Sequence, residues 1–470
     1  MTAAGQPEYG VEYYKDKWLQ TNELLKLALK TIVELEAKVK KLEEQINKNS
    51  SNSSKPPSTD TKGNTEKHER KERKPRAGKA RPPFPPERID HRVECSRENC
   101  PHCNSNNLQQ LNQAPFIWQQ AELPNARAIV TEFQCLRYAC KECGIRSTGD
   151  LPEGVPFSSF GPKLMAFTAC LTGRFHMAKR DAIQLIQDLY GIDISEGSVI
   201  NVEENISHAL EEPYERIRKF VVERSLIRHF DETSWRDSGN RKCVWICTTS
   251  VAACYRIDPQ RSQDAFKRLV GTHMKTPSVT DRYSAYNALD GPRQYCLAHL
   301  IRNFHFFAER KEYDGEVGAK IENELRKACG IHAQMKAGII NKQQYAMRVR
   351  HSQKRLEDFL TDGHANCSDD LASLCNRLLD EFEHLWTFSR IEGMEPTNNM
   401  AERDLRKVVL WRKKSYGTRS QRGQQFVQTI TSVVETLKKN GRNVLEFLTE
   451  AVLAFYHRQA APYIAPNLGF

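Results

Sequence analysis

Three acidic residues stand out because each lies in a distinctive context: Asp231 in HFDETSW, Asp281 in SVTDRYSAY and Glu402 in NNMAERDLR. Asp231 and Asp281 each follow an apolar stretch typical of a β-strand, so we predict that each terminates a strand. Two carboxylates side by side repel each other unless a divalent cation lies between them. Mg²⁺ binds few protein carboxylates and keeps water and phosphate oxygens as ligands. The pair therefore predicts metal-dependent chemistry on a phosphate, whereas either Asp alone is more often a turn or helix-cap residue.

Glu402 supplies the third carboxylate that a two-ion site usually has. Its segment predicts a helix whose apolar face consists of Ala401, Leu405, Val408 and Val409. Glu402 lies about 100° around the helix from Ala401, beside that face, so a helix packed on a sheet would direct it toward the strand edge. The alternative is an ion pair with Arg406 and the helix dipole, which is worth only about 0.3–1 kcal/mol.

The elements that position these acids follow from a change of hydrophobic period near residue 225. We predict strands at 225–230, 242–250, 252–257, 277–281 and 294–299 and helices at 262–271 and 282–289. This order is RNase H-like, with a mixed sheet covered by helices, and it makes the first and fourth strands neighbours. We predict a catalytic core at 223–300 and 392–435, interrupted by a helical insertion at 301–391 and followed by a C-terminal helical segment at 436–470.

Paired cysteines predict a second metal site, in a β module at 91–155. The spacing Cys-x4-Cys-x2-Cys occurs twice, and we predict tetrahedral Zn²⁺ on Cys100, Cys103, Cys140 and Cys143. Cys95 and Cys135 lie outside this set of four, and we expect them to be either buried thiols or substitute ligands. Residues 116–140 between the knuckles alternate in polarity like β-strands. The chain has 14 cysteines, and we expect metal ligands or buried thiols rather than disulfides in a reducing compartment.

The N-terminal part predicts self-association. Residues 12–47 form a helical pattern with an apolar seam, which consists of Leu25, Ala28, Ile32, Leu35, Val39, Leu42 and Ile46. This pattern is typical of a coiled coil and hence of a homodimer or higher oligomer, although an amphipathic helix on its own core has the same pattern. Residues 48–90 are rich in Ser, Asn, Pro and charge, and we expect a disordered basic linker. Residues 156–222 predict helices compatible with helix-turn-helix DNA binding and equally with a small bundle.

Charge favours an anionic partner. The formal net charge is +11, with eight Lys or Arg residues at 67–81 and eight more at 403–422. Clusters of this kind are typical of nucleic-acid binding, although two solvated basic faces would look the same. The start of the chain is polar and no run approaches the roughly 18 apolar residues of a membrane span, so we expect a cytoplasmic protein without membrane contact.

Several motifs together resemble the transposases of the insertion-sequence-66 family. They occur in the family's order, and they are NSSKPPSTD, the two cysteine knuckles, DET, VTDRYSAY, CLAHLIRNF, NNMAERDLR and RKKSYGTRSQRG. The linker departs from the family pattern, since RKPRAGKARPP stands where a Gly-Gly-Gln-Pro-Gly-His type stretch is often found. The resemblance implies a DDE transposase with Asp231, Asp281 and Glu402 as its triad. It also places His299, in CLAH, near the site.

The function implied is metal-dependent cleavage at transposon ends and transfer of the 3′-hydroxyl to target DNA. The expected cofactors are two Mg²⁺ or Mn²⁺ ions and structural Zn²⁺, and the resemblance implies accessory proteins from the same element. We expect the residues that contact DNA phosphates to be Arg403, Arg406, Lys407, Arg412, Lys413, Lys414, Arg419 and Arg422. The alternatives are an RNase H-type nuclease without strand transfer and a non-catalytic DNA-binding regulator derived from a transposase.

Overall fold

The computed structural model describes residues 10–49, 82–124, 127–156 and 158–465. Most of the predicted linker, including the basic cluster at 67–81, lies outside the described residues. The same holds for 466–470 at the end of the predicted C-terminal segment. No helix within the described ranges is long and apolar enough to span a membrane.

The first element is a long helix, α1 (Val11–Asn47), which confirms the helix predicted at 12–47. Its apolar seam faces solvent, with Leu25, Ile32 and Leu35 each half exposed or more. Near its C-terminal end the helix touches the rest of the chain, because Arg310 Nη2 lies 3.1 Å from Glu44 Oε1. The seam is thus an apolar surface that the chain itself leaves uncovered at these positions.

The cysteine-rich region contains little regular structure. Two short antiparallel strands, β1 (Arg137–Ala139) and β2 (Arg146–Thr148), flank the second knuckle. The strands predicted across the rest of 116–140 are wrong for its described residues, which are irregular and almost entirely exposed. Alternating polarity needs a packed face to become a strand, and this small module has no apolar core of its own.

Four helices precede the main sheet. They are α2 (Pro162–Ala169), α3 (Lys179–Tyr190), α4 (Glu196–Ala209) and α5 (Glu211–Lys219). Helix α3 ends at Gly191, which has a positive φ, and the Ser195 side chain caps α4. Helix α4 carries three glutamates and no Lys or Arg, so its charge does not suit a DNA-reading helix. Its buried face belongs instead to the apolar core that the helices share with the sheet.

The central sheet has five strands in the order predicted. They are β3 (Arg228–Asp237), β4 (Asn240–Thr248), β5 (Ala253–Asp258), β6 (Ser278–Thr280) and β7 (Arg293–Tyr295), and α6 (Gln263–Val270) follows β5. The spatial order is β5-β4-β3-β6-β7. The first and fourth of these strands, β3 and β6, are parallel neighbours.

Several predicted boundaries are wrong. Strand β3 runs on to Asp237, so Asp231 lies within the strand instead of terminating it. The reason is a two-residue turn at Ser238 and Gly239, both with positive φ, which lets β3 and β4 pair from His229 to Asp237. The helix predicted at 282–289 is a single 3₁₀ segment, Ser284–Ala288. The strand predicted at 294–299 ends at Tyr295, and a helix follows.

The remaining chain is helical. The next helices are α7 (Leu297–Ala308), α8 (Glu312–Lys336), α9 (Lys342–Asn366), α10 (Asp369–Asp380) and α11 (Thr387–Arg390). They form a second apolar core, which also takes Val279 and Tyr295 from the sheet. The last helices are α12 (Asn399–Ser415), α13 (Gln421–Lys439) and α14 (Val444–Tyr456). Helix α12 packs on β3 and β4 and buries Ala401, Leu405 and Val408, whereas Val409 is only half buried.

Candidate active site

Asp231 lies on the face of β3 that α12 covers. Successive side chains of a strand point to opposite faces, so Asp231 shares its face with Thr233, whose hydroxyl accepts from Arg412 of α12 at 3.3 Å. Phe230 and Glu232 point to the other face, where the Phe230 ring packs edge-on against Phe266 of α6. The carboxylates at 231 and 232 therefore point to opposite faces of the strand although they are adjacent in sequence.

Asp281 and Glu402 come close to Asp231. Asp281 directly follows β6, the parallel neighbour of β3, as predicted, and Glu402 is in the first turn of α12. Burial raises the pKa of Asp231 well above its usual value, and the negative charges of Glu232, Asp281 and Glu402 raise that pKa further. The structure thus brings the three predicted acids into one electrostatic environment at the β3–β6 edge.

Glu402 also faces two cations or potential cations on α7. Its Oε1 lies 3.3 Å from Nη2 of Arg302 and 3.4 Å from Nδ1 of His299. Burial lowers the pKa of His299, although the Glu402 charge acts in the opposite direction. His299 therefore lies beside the third acid, as the sequence suggested, but on a helix and not on a strand. Arg302 was missed although it lies in the motif CLAHLIRNF, because its role depends on Glu402, which is distant in sequence.

The donor set fits divalent cations of the Mg²⁺ class. The negative charges of Asp281 and Glu402 act on the Asp231 carboxylate and repel it. A divalent cation bound among the three carboxylates would relieve that repulsion. Their oxygens are not all within 4.8 Å of one another, since within the described part of the chain only Cys296, His299 and Glu402 form such a group. A two-ion site places its ions about 3.5–4 Å apart, so ligands of different ions need not touch.

Asn398 connects the elements of the site and was not predicted as a functional residue. It is fully buried, its Nδ2 donates to the Phe230 carbonyl at 2.6 Å and its Oδ1 lies 3.2 Å from His229 Nδ1. Its backbone N–H donates to Cys296 Sγ at 3.1 Å. The sequence shows Thr-Asn-Asn as a helix start, yet the Asn398 side chain makes no cap hydrogen bond. It joins α12 to β3 one residue before Asp231.

Glu232 is a buried carboxylate that sequence reasoning also missed. Arg261 binds it through two guanidinium nitrogens, and the Tyr286 hydroxyl donates to its other oxygen. Burial raises the pKa of Glu232, and the charge of Asp281 adds to this effect. Its oxygens are already occupied by Arg261 and Tyr286, so Glu232 is suited to supporting the strand rather than to binding an ion.

The predicted DNA-contacting cations fall into two groups. Five are exposed and one is half buried, and they are Arg403, Arg406, Lys413, Lys414, Arg419 and, half buried, Lys407. Arg412 instead donates to the carbonyl and hydroxyl of Ser234, and Arg422 lies 2.7 Å from Glu204 Oε2. These last two arginines also bind residues of this chain, which the charge pattern alone does not reveal.

The cysteine knuckles form as two similar turns. Cys100 N–H donates to the Ser105 carbonyl and Cys140 N–H to the Ile145 carbonyl, both at 2.9 Å. Hydrogen bonds from the Cys103 and Cys143 backbones lower the pKa of the Cys100 and Cys140 thiols, respectively. Each turn thus favours thiolate, the form that binds Zn²⁺. The structure does not bring the four sulfur atoms together within 4.8 Å, and Cys95 and Cys135 are exposed thiols.

The raised pKa of Asp231 gives a prediction for stability. A folded state that holds this proton more tightly than the unfolded state loses stability as the pH rises above the unfolded pKa of about 3.9. We expect Asp231→Asn to raise the free energy of unfolding at neutral pH by about 1 kcal/mol or more, and to have no such effect below about pH 4. Urea denaturation without divalent cations measures this.

Asp237 is the matched control. Burial alone would raise its pKa, but hydrogen bonds from Thr418 and Lys242 outweigh burial and lower it. Asp237→Asn should therefore destabilise the protein at neutral pH. If Asp231→Asn also lowered the free energy of unfolding at neutral pH, the interpretation that the ionised Asp231 carboxylate is destabilised by its neighbours would be contradicted.

Comparisons with protein families agree with this geometry. A family model described as Transposase IS66 family matches residues 158–426, more than half of the chain. The zinc-finger binding domain of transposase IS66 matches 97–144, and a Family of unknown function (DUF6444) matches 17–83. A search of curated proteins finds no match. The zinc-finger match supports structural zinc, and the transposase match implies an enzyme that binds and processes DNA. The chain belongs to the IS66 family of transposases.

Proposed function

We propose that this transposase cleaves DNA at transposon ends and joins the freed 3′-hydroxyl to target DNA, with Asp231, Asp281 and Glu402 as its catalytic carboxylates. The observation that carries this proposal is that Asp231 lies within β3, that Asp281 directly follows the parallel neighbour β6, and that the charges of Asp281 and Glu402 both act on Asp231. The strand order supports an RNase H-like core, because it places the first and fourth strands side by side.

The three carboxylates would hold two Mg²⁺ or Mn²⁺ ions. Such ions, when bound, make an attacking water or 3′-hydroxyl more nucleophilic and stabilise the leaving oxygen. The chain itself contributes position: Asn398 fixes the start of α12 against β3, and Arg302 neutralises part of the Glu402 charge at 3.3 Å. Positioning of this kind accounts for much of the rate in phosphoryl transfer, where little covalent chemistry falls to the protein.

The basic face of α12 would bind the DNA backbone next to the acids. Glu402 and the exposed Arg403 and Arg406 lie within the first two turns, and Lys413 and Lys414 extend the positive charge along the helix. Contacts of this kind position DNA without specifying its sequence. End recognition would fall to the zinc module and to helices before the sheet other than α4, whose charge does not suit DNA, and accessory proteins of the same element would complete the machinery.

A dimer would bring two transposon ends together through α1. Glu44, which contacts Arg310, lies about 200° around the helix from Leu42, so contact with the insertion leaves the seam on the opposite side. The exposed seam is then available to the same seam of a second copy.

Catalysis is tested by isosteric variants of the triad. We expect Asp231→Asn, Asp281→Asn and Glu402→Gln each to lower Mg²⁺-dependent cleavage and joining of labelled transposon-end DNA by roughly 10³-fold or more. Glu383→Gln, at an exposed acid of the insertion, should keep full activity. Full activity in any of the three triad variants would refute the assignment, and cleavage without joining by the wild type would favour the nuclease alternative.

DNA binding along α12 is tested by salt dependence. We expect Lys413→Ala and Lys414→Ala each to lower the slope of log affinity against log salt concentration by about 1, because each removes one phosphate contact. Fluorescence anisotropy with labelled end DNA gives the slope. Lys354→Ala, at an exposed lysine of the insertion that pairs with Asp358, is the control and should leave the slope unchanged. Equal slopes in all variants would place the DNA elsewhere.

Self-association through α1 is tested by charge on the seam. Leu35→Glu should convert the oligomer to monomers, since it places a charge in the apolar interface, whereas Val33→Glu should not. Both side chains are exposed in the single chain, but Val33 lies off the seam. Sedimentation equilibrium gives the mass, and a wild-type monomer at micromolar concentration would rule the interface out.

A further inference from the structure

A cluster of mixed ligand chemistry lies where two helices begin. Cys296 precedes α7, His299 is in the first turn of α7, and Glu402 is in the first turn of α12. One ligand atom of each lies within 4.8 Å of the other two. The spacing of three residues places the thiol and the imidazole on one face of α7, toward the carboxylate.

Two of these ligand atoms are buried in a way that the proposed cleavage chemistry does not require. His299 Nδ1 is buried and has no hydrogen-bond partner among the described residues, although Glu402 Oε1 is 3.4 Å away. Cys296 Sγ is buried and accepts a weak hydrogen bond from Asn398 N–H at 3.1 Å. A buried polar nitrogen normally has a partner, so the cluster has room for one more interaction.

We propose that Cys296, His299 and Glu402 form a binding site for a soft divalent cation of the Zn²⁺ class. Sulfur, imidazole nitrogen and one carboxylate oxygen are ligands that Zn²⁺ accepts in tetrahedral sites, with water in the fourth position. Mg²⁺ prefers oxygen ligands and does not favour this set. Binding releases the thiol proton to solvent, and the cation itself stabilises the resulting thiolate at this buried position.

The site would regulate the enzyme, because it shares Glu402 with the cleavage site. A cation bound to Cys296 and His299 draws the Glu402 carboxylate away from the Asp231–Asp281 edge, so Zn²⁺ inhibits Mg²⁺-dependent cleavage. This regulatory consequence rests on the proposed function, whereas binding of the cation does not. Arg302 also faces Glu402 and opposes a cation, but the thiolate and carboxylate together balance a charge of +2.

Binding is tested with Co²⁺, whose thiolate complexes absorb by charge transfer, on the full chain already loaded with its structural zinc. We expect wild type to show this absorption with one Co²⁺ per chain, and Cys296→Ser to bind Co²⁺ at least about tenfold more weakly without it. Serine keeps an acceptor for Asn398 N–H. Cys329→Ser, at a half-buried cysteine of α8, is the matched control and should behave as wild type. Identical Co²⁺ titrations of wild type and Cys296→Ser would overturn the proposal.

A second variant covers the case in which Cys296→Ser does not fold. His299→Gln leaves the thiol intact and should weaken Co²⁺ binding by a similar factor, and unchanged binding would also overturn the site.

For regulation, each variant's cleavage rate is compared with and without added Zn²⁺. We expect inhibition in wild type and Cys329→Ser that a chelator reverses, and its loss in Cys296→Ser. Bound Zn²⁺ that leaves cleavage unchanged would refute the regulatory role, whereas cleavage that survives Asp231→Asn would refute the proposed function and leave the Co²⁺ result intact.

Discussion

The hydrogen bonds of Asn398 are the constraint on which the site depends. One buried amide binds the backbone of β3 beside Asp231 and faces His229, and its N–H reaches the thiol at the start of α7. Because an unpaired buried amide or carbonyl costs about 1–3 kcal/mol, the strand and both helices have one low-energy arrangement here. The position of Glu402, four residues further on, follows from this junction.

The junction explains why acids can be held so close together. Burial and the neighbouring negative charges make the ionised Asp231 carboxylate unfavourable. The strand and helix that carry the acids are nevertheless held in place by packing. Ala401, Leu405 and Val408 bury one side of α12 against the sheet. Arg412 fastens the helix further along, through Ser234 of β3. The repulsion between the carboxylates therefore destabilises only this region, and the surrounding apolar core compensates for the lost stability.

Much of this arrangement could be predicted from the sequence, because the periodicity of apolar residues and the spacing of the acidic residues indicate it. Asp281 after a short apolar strand, Glu402 beside an apolar helix face and the sheet order all have local signals. The end of β3 lies later than predicted, because the mostly polar residues after Asp231 continue the strand and pair with β4 in a hairpin. Asn398, Arg302 and Arg412 all lie in motifs of the resemblance, but their contacts could not be predicted, since each depends on a partner distant in sequence. The packing of α2–α5 on the sheet could not be predicted for the same reason. The transposase family model, which begins at residue 158, includes these helices.

The long helical segment between Asp281 and Glu402 has a consequence for synthesis of the protein. The bond from Asn398 to Phe230 joins residues 168 positions apart, and α8–α10 lie between them. Contacts so distant in sequence form late, and a chain grows from its N-terminus. A ribosome-bound chain can therefore complete the sheet while it still lacks Glu402. Because Glu402 is the proposed third catalytic carboxylate, a nascent chain that ends before α12 would lack part of the proposed site.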